Sequence, residues 1–267
     1  MKIKEQSVRV LMAVVMGLLM AGCVESPTGR NQLLLMSSSQ MDQMDMTAYE
    51  QMKQEQPVSS DAATVSYVRC VADRITATLA EQQTWEVNVF NDPSANAFAL
   101  PGGKIGVNSG LLDVAQSPDQ LAAVVGHEIG HVLAQHSNER VSIQMATQTG
   151  MQLLQAMSGE PSEEKAMLFG LLGLGTQFGV TLPFSRKHET EADIVGLKLM
   201  AQAGFDPRAS VTLWQNMAKA NSGAPPEFLS THPSSESRIH ELQANMPEAV
   251  AYYNAARKAG RVPNCSR

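Results

Sequence analysis

His127-Glu128-Ile129-Gly130-His131 sets two imidazoles four residues apart, with a carboxylate beside the first. On a helix that spacing leaves the histidines about 40° apart around the axis, on one face. Two imidazole nitrogens so placed can hold one zinc ion, with Glu128 beside it to handle a proton. Catalytic zinc takes three protein ligands and leaves one position open. The third ligand must therefore come from elsewhere. Glu189 and Asp193 are also four apart, in a stretch from Arg186 to Met200 that reads as helix. Glu189 is the choice for the third ligand, giving one zinc per chain. Asp193, one turn on, is placed to accept a hydrogen bond from the free ring nitrogen of a ligand histidine, which fixes its tautomer and raises its basicity. Glu191 points away from that face and reads as solvated. His136 lies about 140° around from His131 and is no ligand; His188 and His240 have no partner spacing.

The elements that must position these groups are legible around them. Ser117-Pro118-Asp119-Gln120 reads as a capping box, with proline at the first helical position and Asp119 at the positive end of the dipole. Leu121, Val124, Val125, Ile129 and Val132 surround the histidines with apolar bulk. Gly126 and Gly130 cost roughly 1 kcal/mol each against alanine in a helix, so another element should approach closely there. Asp61 to about Ala80 has helical periodicity, Trp85 to Phe90 alternates as a strand, and Phe98–Leu100 and Ile105–Val107 read as short strands around Pro101-Gly102-Gly103. Helix continues from Arg140 to Met157, and Ser158–Ser162 is a loop. Gly204 stops the helix of Glu189, and Asp206-Pro207 caps the next. The expected fold is α+β, mainly α, with a small sheet against the histidine helix. Ala166 to Ser185 carries no charge and is long enough to span a bilayer. A single crossing there would separate His131 from Glu189, so it reads as a buried core helix.

These residues carry a family resemblance. His-Glu-x-x-His followed by Glu189-Thr-Glu-Ala-Asp193 resembles the zincin-like gluzincin peptidases of the CAAX prenyl protease and HtpX-like group. So do Asn96 to Leu111 before the motif and Thr231-His-Pro-Ser-Ser-Glu-Ser-Arg238 after it. The four blocks lie in the family's order and cover about 145 residues. The resemblance implies zinc endopeptidase activity, with His127, His131 and Glu189 as ligands and Glu128 as base. It points to the soluble bacterial lipoprotein branch rather than the polytopic prenyl protease branch.

Lys2, Lys4 and Arg9 precede an apolar run from Val10 to Met20, as in a signal peptide. Leu19-Met20-Ala21-Gly22-Cys23 resembles a bacterial lipobox, implying removal of residues 1–22 and lipidation of Cys23. No aspartate follows the cysteine, which by resemblance to other lipoproteins implies a lipid anchor at the periplasmic face of the outer membrane. Residues 23–58 then read as tether plus peripheral helix, and 59–267 as the peptidase domain. In that oxidising compartment Cys70 and Cys265 remain as an even pair, for which a disulfide is expected; two buried free thiols are the alternative. The net charge of −6, or −8 once residues 1–22 are removed, argues against nucleic acid as a partner. The sequence carries no signal for oligomeric state.

Glu128 would take a proton from water and return it to the leaving amine. His232, stiffened by Pro233, is the candidate second donor to the developing oxyanion; alternatively it fills the fourth metal position and holds the enzyme latent, or is a plain loop histidine. Arg238 would orient substrate or nearby carboxylates. Substrate would add as an extended strand near Asn96, Ala97, Phe98 and Ala99, which suits unfolded or flexible proteins. The expected function is thus quality-control proteolysis of envelope proteins. The competing expectation is a chaperone-like binding lipoprotein with a latent or structural zinc site.

Overall fold

The computed structural model describes residues 23–81, 83–157, 182–219 and 236–267, with positions 162, 167 and 232. The expected signal peptide and most of the uncharged stretch from Ala166 to Ser185 lie outside the described residues. The chain divides into two compact units, one of residues 1–37 and 135–182, the other of 38–134 and 183–267.

In the first unit, β1 (Cys23–Glu25) and β2 (Asn31–Leu33) pair antiparallel, so the start of the expected tether is a ribbon. Its turn uses Gly29 at φ 84°, in the left-handed region. The ribbon joins the first turns of α5 (His136–Met157). Arg30 donates to both oxygens of the buried Glu139 at 2.7 Å, and Gln32 adds a third bond at 2.9 Å. The Leu35 N–H donates to Ser142 Oγ, and Asn138 donates to the Met36 carbonyl.

The second unit holds α1 (Ser38–Glu55), α2 (Ala62–Thr76), β3 (Glu86–Phe90), β4 (Ala97–Leu100), β5 (Lys104–Asn108), the single turn α3 (Leu111–Val114), α4 (Pro118–Leu133), α6 (Leu182–Gln202), α7 (Ala209–Lys219) and α8 (Glu236–Lys258). The sheet order is β3-β5-β4, parallel between β3 and β5 and antiparallel between β5 and β4. This makes β4 one of the two outer strands, lying beside α4. The result is a mainly helical α+β fold, as the periodicities predict. Helix α1 is more than peripheral: Tyr49 is fully buried and packs edge-on against Phe90 and Phe98. The Phe98 ring in turn fills the space a Cβ at Gly106 would need, which fixes the register of β4 on β5. Gly204, at φ 93°, ends α6, and the Asp206 carbonyl and side chain accept the first N–H groups entering α7.

Candidate metal centre

Helix α4 starts as its sequence predicts. Ser117 Oγ accepts the N–H of Gln120 at 3.2 Å, and Pro118 occupies the first turn. Both histidines and Glu128 are then carried into the interior. The compensation for glycine is visible: a Cβ on Gly126 would lie 2.8 Å from the Gly196 carbonyl oxygen, and one on Gly130 2.8 Å from that of Ala192. Gly196 in turn would place a Cβ 2.6 Å from the His127 nitrogen. Helices α4 and α6 therefore touch backbone to backbone. That close crossing brings Glu189 and Asp193, on the same face of α6 as Gly196, up to the histidines.

Four donor atoms converge, from His127, His131, Glu189 and His232, all within 4.8 Å of one another. His127 Nε2 is 3.1 Å from His131 Nε2, 3.3 Å from His232 Nδ1 and 3.4 Å from Glu189 Oε2. Glu189 lies 3.5 Å from His131 Nε2 and 3.0 Å from His232 Nδ1. A tetrahedron with arms of about 2.0–2.2 Å has edges of about 3.3–3.6 Å, so the set fits zinc. Charge fits as well: with the imidazoles neutral, as metal ligands must be, three buried carboxylates (Glu128, Glu189, Asp193) face one buried guanidinium, Arg238, leaving two negative charges for a dication to balance. Finally, Glu128 Oε1 is buried without a hydrogen-bond partner. Such an orphaned acceptor is costly unless a donor at the centre meets it.

The surrounding groups set orientation. His127 Nδ1–H donates to Asp193 Oδ1 at 2.9 Å, which turns the Nε2 lone pair toward the centre. Burial alone would push the His127 imidazole down, but its bonds to Asp193 and Glu189 outweigh burial and raise it to about 9. Burial would also raise Glu189; its imidazole partners hold it well below the usual carboxylate range instead. Glu128 is raised, chiefly by burial, which suits a proton acceptor. Asp193 is gripped by Arg238, whose Nε and Nη2 donate at 2.7 and 2.8 Å. Arg238 Nη1 also lies 3.1 Å from Glu189 and donates to the His232 carbonyl at 3.3 Å. The arginine is buried among these groups, its guanidinium 3.9 Å from the ring centre of Trp214 on α7.

Trp214 is the member of this constellation that sequence reasoning missed; a lone tryptophan on an amphipathic helix reads as core. Glu191, expected to be solvated, is buried at 3% exposure. Ala97, Phe98 and Ala99 lie on the outer strand β4, with Asn96 just before it accepting the Asn108 N–H. Phe98 turns its ring to Tyr49 and Phe90, so any contact it makes with an added strand is through its backbone. Cys70 and Cys265 are joined across 195 residues, tying α2 to the C-terminal segment, and Cys23 starts β1.

Two helices crossed at glycine, one bearing His-Glu-x-x-His and the other Glu-x-x-x-Asp, over a small mixed sheet, define a zincin-like metallopeptidase domain. The chain belongs to peptidase family M48, whose pattern matches residues 60–246. It is similar to the mitochondrial metalloendopeptidase OMA1 of Schizosaccharomyces pombe, 42% identical over 189 residues, which is 70% of this chain and 54% of that protein. The human metalloendopeptidase OMA1 is 33% identical over 84% of this chain and 45% of its own length. The β-barrel assembly-enhancing protease of Escherichia coli K12 is 31% identical over 78% of this chain and 44% of its own. The chain thus spans about half the length of the curated relatives it matches.

Proposed function

We propose that this chain is a zinc-dependent endopeptidase of unfolded or misassembled envelope proteins, held at the membrane by a lipid on Cys23. His127, His131 and Glu189 would hold the metal, with Asp193 and Arg238 fixing their orientation. A bound zinc supplies a polarised carbonyl and a water acidic enough to ionise near neutral pH. Glu128 accepts that proton through its unpartnered oxygen and hands it to the leaving amine. The outer strand β4 takes an extended substrate by main-chain pairing from Asn96 to Ala99. The observation that carries the reading is the tetrahedral spacing of the four donor atoms, with a buried Glu128 oxygen beside them that has no hydrogen-bond partner. The lipobox-like Leu19–Cys23 and a relative named for β-barrel assembly support the envelope as the workplace, on the periplasmic face of the outer membrane. Unfolded casein should be cleaved, and a chelator should stop cleavage; hydrolysis indifferent to chelation would overturn the reading.

His232 supports a second reading. Its Nδ1 stands at the fourth corner of the cluster, 3.0 Å from Glu189, while its Nε2 is 3.6 Å from Glu128. A histidine there closes the centre and keeps the enzyme latent, whereas swung aside it can donate to the reacting oxygen. His232→Ala separates the two. Faster casein cleavage marks a latency ligand, and a fall of about 10²–10³-fold marks a transition-state donor.

A further inference from the structure

From Val141 to Met157 the chain carries no charged residue, although 17% of the whole sequence is charged. This stretch is the distal part of α5, and four of its large apolar side chains face outward. Met145, Leu153 and Leu154 are 44–52% exposed and Met157 is 81% exposed. Leu153, Leu154 and Met157 fall at positions i, i+1 and i+4, so they form one patch on the last turns. Single exposed apolar residues need no explanation, but a contiguous uncharged patch marks a contact surface.

We infer that this face of α5 lies on a lipid bilayer, as a second membrane contact beside the anchor. The inference rests on the reading of Cys23 as lipidated. Cys23 and α5 belong to one compact unit. The ribbon that begins at Cys23 is stapled to the first turns of α5 by the half-buried Arg30–Glu139 pair, with Gln32, Ser142 and Asn138 adding bonds. The two parallel charge-assisted bonds from Arg30 to Glu139 fix how the ribbon sits on the helix. An acyl group at residue 23 therefore brings the helix to the lipid surface as an intramolecular event, at high effective concentration. The polar residues of the stretch are neutral serine, threonine and glutamine. Among the described residues no helix is long and apolar enough to cross a membrane. A helix too polar to span can still lie at the headgroup boundary with its apolar side down.

The test uses the full mature chain with Cys23→Ser, so that no acyl chain can substitute for the helix, floated with phosphatidylethanolamine and phosphatidylglycerol vesicles. The unacylated chain should float, and adding Leu153→Glu, Leu154→Glu and Met157→Glu should cut the floated fraction at least five-fold while casein cleavage stays unchanged. In the acylated protein, an environment-sensitive dye on Leu154→Cys should shift to the blue when vesicles are added. No flotation and no dye shift would overturn the inference. So would a dimer that the glutamates convert to monomer without any effect of vesicles, since α5 would then be a subunit interface. The mass of the N-terminal peptide checks the lipid on Cys23 separately, and casein cleavage checks the peptidase reading.

Discussion

In the proposed mechanism Glu128 separates chemistry from binding. Its carboxylate is buried beside the donor cluster without being one of the four converging groups. Glu128→Gln keeps the shape and removes the proton acceptor, so casein turnover should fall about 10²–10⁴-fold while zinc content is unchanged. Parallel loss of metal and activity would show that Glu128 is a ligand instead. Asp193 acts one bond further out. Asp193→Asn leaves a neutral partner for His127 and strips Arg238 of its bidentate acceptor. A competition titration with a zinc chelator should show affinity about 10–100-fold weaker. These roles trace to spacing alone, because residues four apart share a helical face whatever the tertiary fold. The Arg238 and Trp214 contacts do not: they arise where α6, α7 and α8 meet, and no period within one segment encodes that meeting.

The elements work because two of them touch without side chains between them. Alanine at 196 gains about 1 kcal/mol of helix propensity over glycine, yet its Cβ would sit 2.6 Å from the His127 nitrogen, against backbone that cannot rotate away. Steric cost wins. Gly196→Ala should lower both the melting temperature and zinc affinity, measured by thermal unfolding with and without added zinc; an unchanged or raised Tm would show that the helices have room. Here the sequence was half informative. Gly126 and Gly130 beside the histidines implied a close neighbour, but nothing marked Gly196 as that neighbour's contact point, since one glycine in a helical pattern has several readings. The cap at Ser117, the three strands and the stop at Gly204 follow from local chemistry and are where that chemistry puts them. The ribbon at Cys23–Leu33 was not legible, because three-residue strands carry too little alternation. Its staple, Arg30 on Glu139, spans 109 positions of sequence.

At the scale of the whole molecule, the Cys70–Cys265 bond closes a loop of nearly the full domain. In the chain-entropy picture a loop that long stabilises by up to about 5 kcal/mol, with engineered cases giving less. Replacing both cysteines by alanine should therefore lower the denaturation midpoint in urea with little change in the activity of the folded fraction. An unchanged midpoint would assign the bond no role in stability. Cysteine arithmetic and an expected oxidising compartment were enough to suggest this pair. The division into two units, with the N-terminal ribbon joined to α5, was not readable, because it depends on which distant segments pack together. The proposed function rests on one metal centre, and its most direct test is a diffraction experiment on the purified protein at the zinc absorption edge. A single anomalous peak is expected about 2.0–2.2 Å from His127 Nε2, His131 Nε2 and a Glu189 oxygen. A protein without zinc, or a peak away from those three atoms, would contradict it.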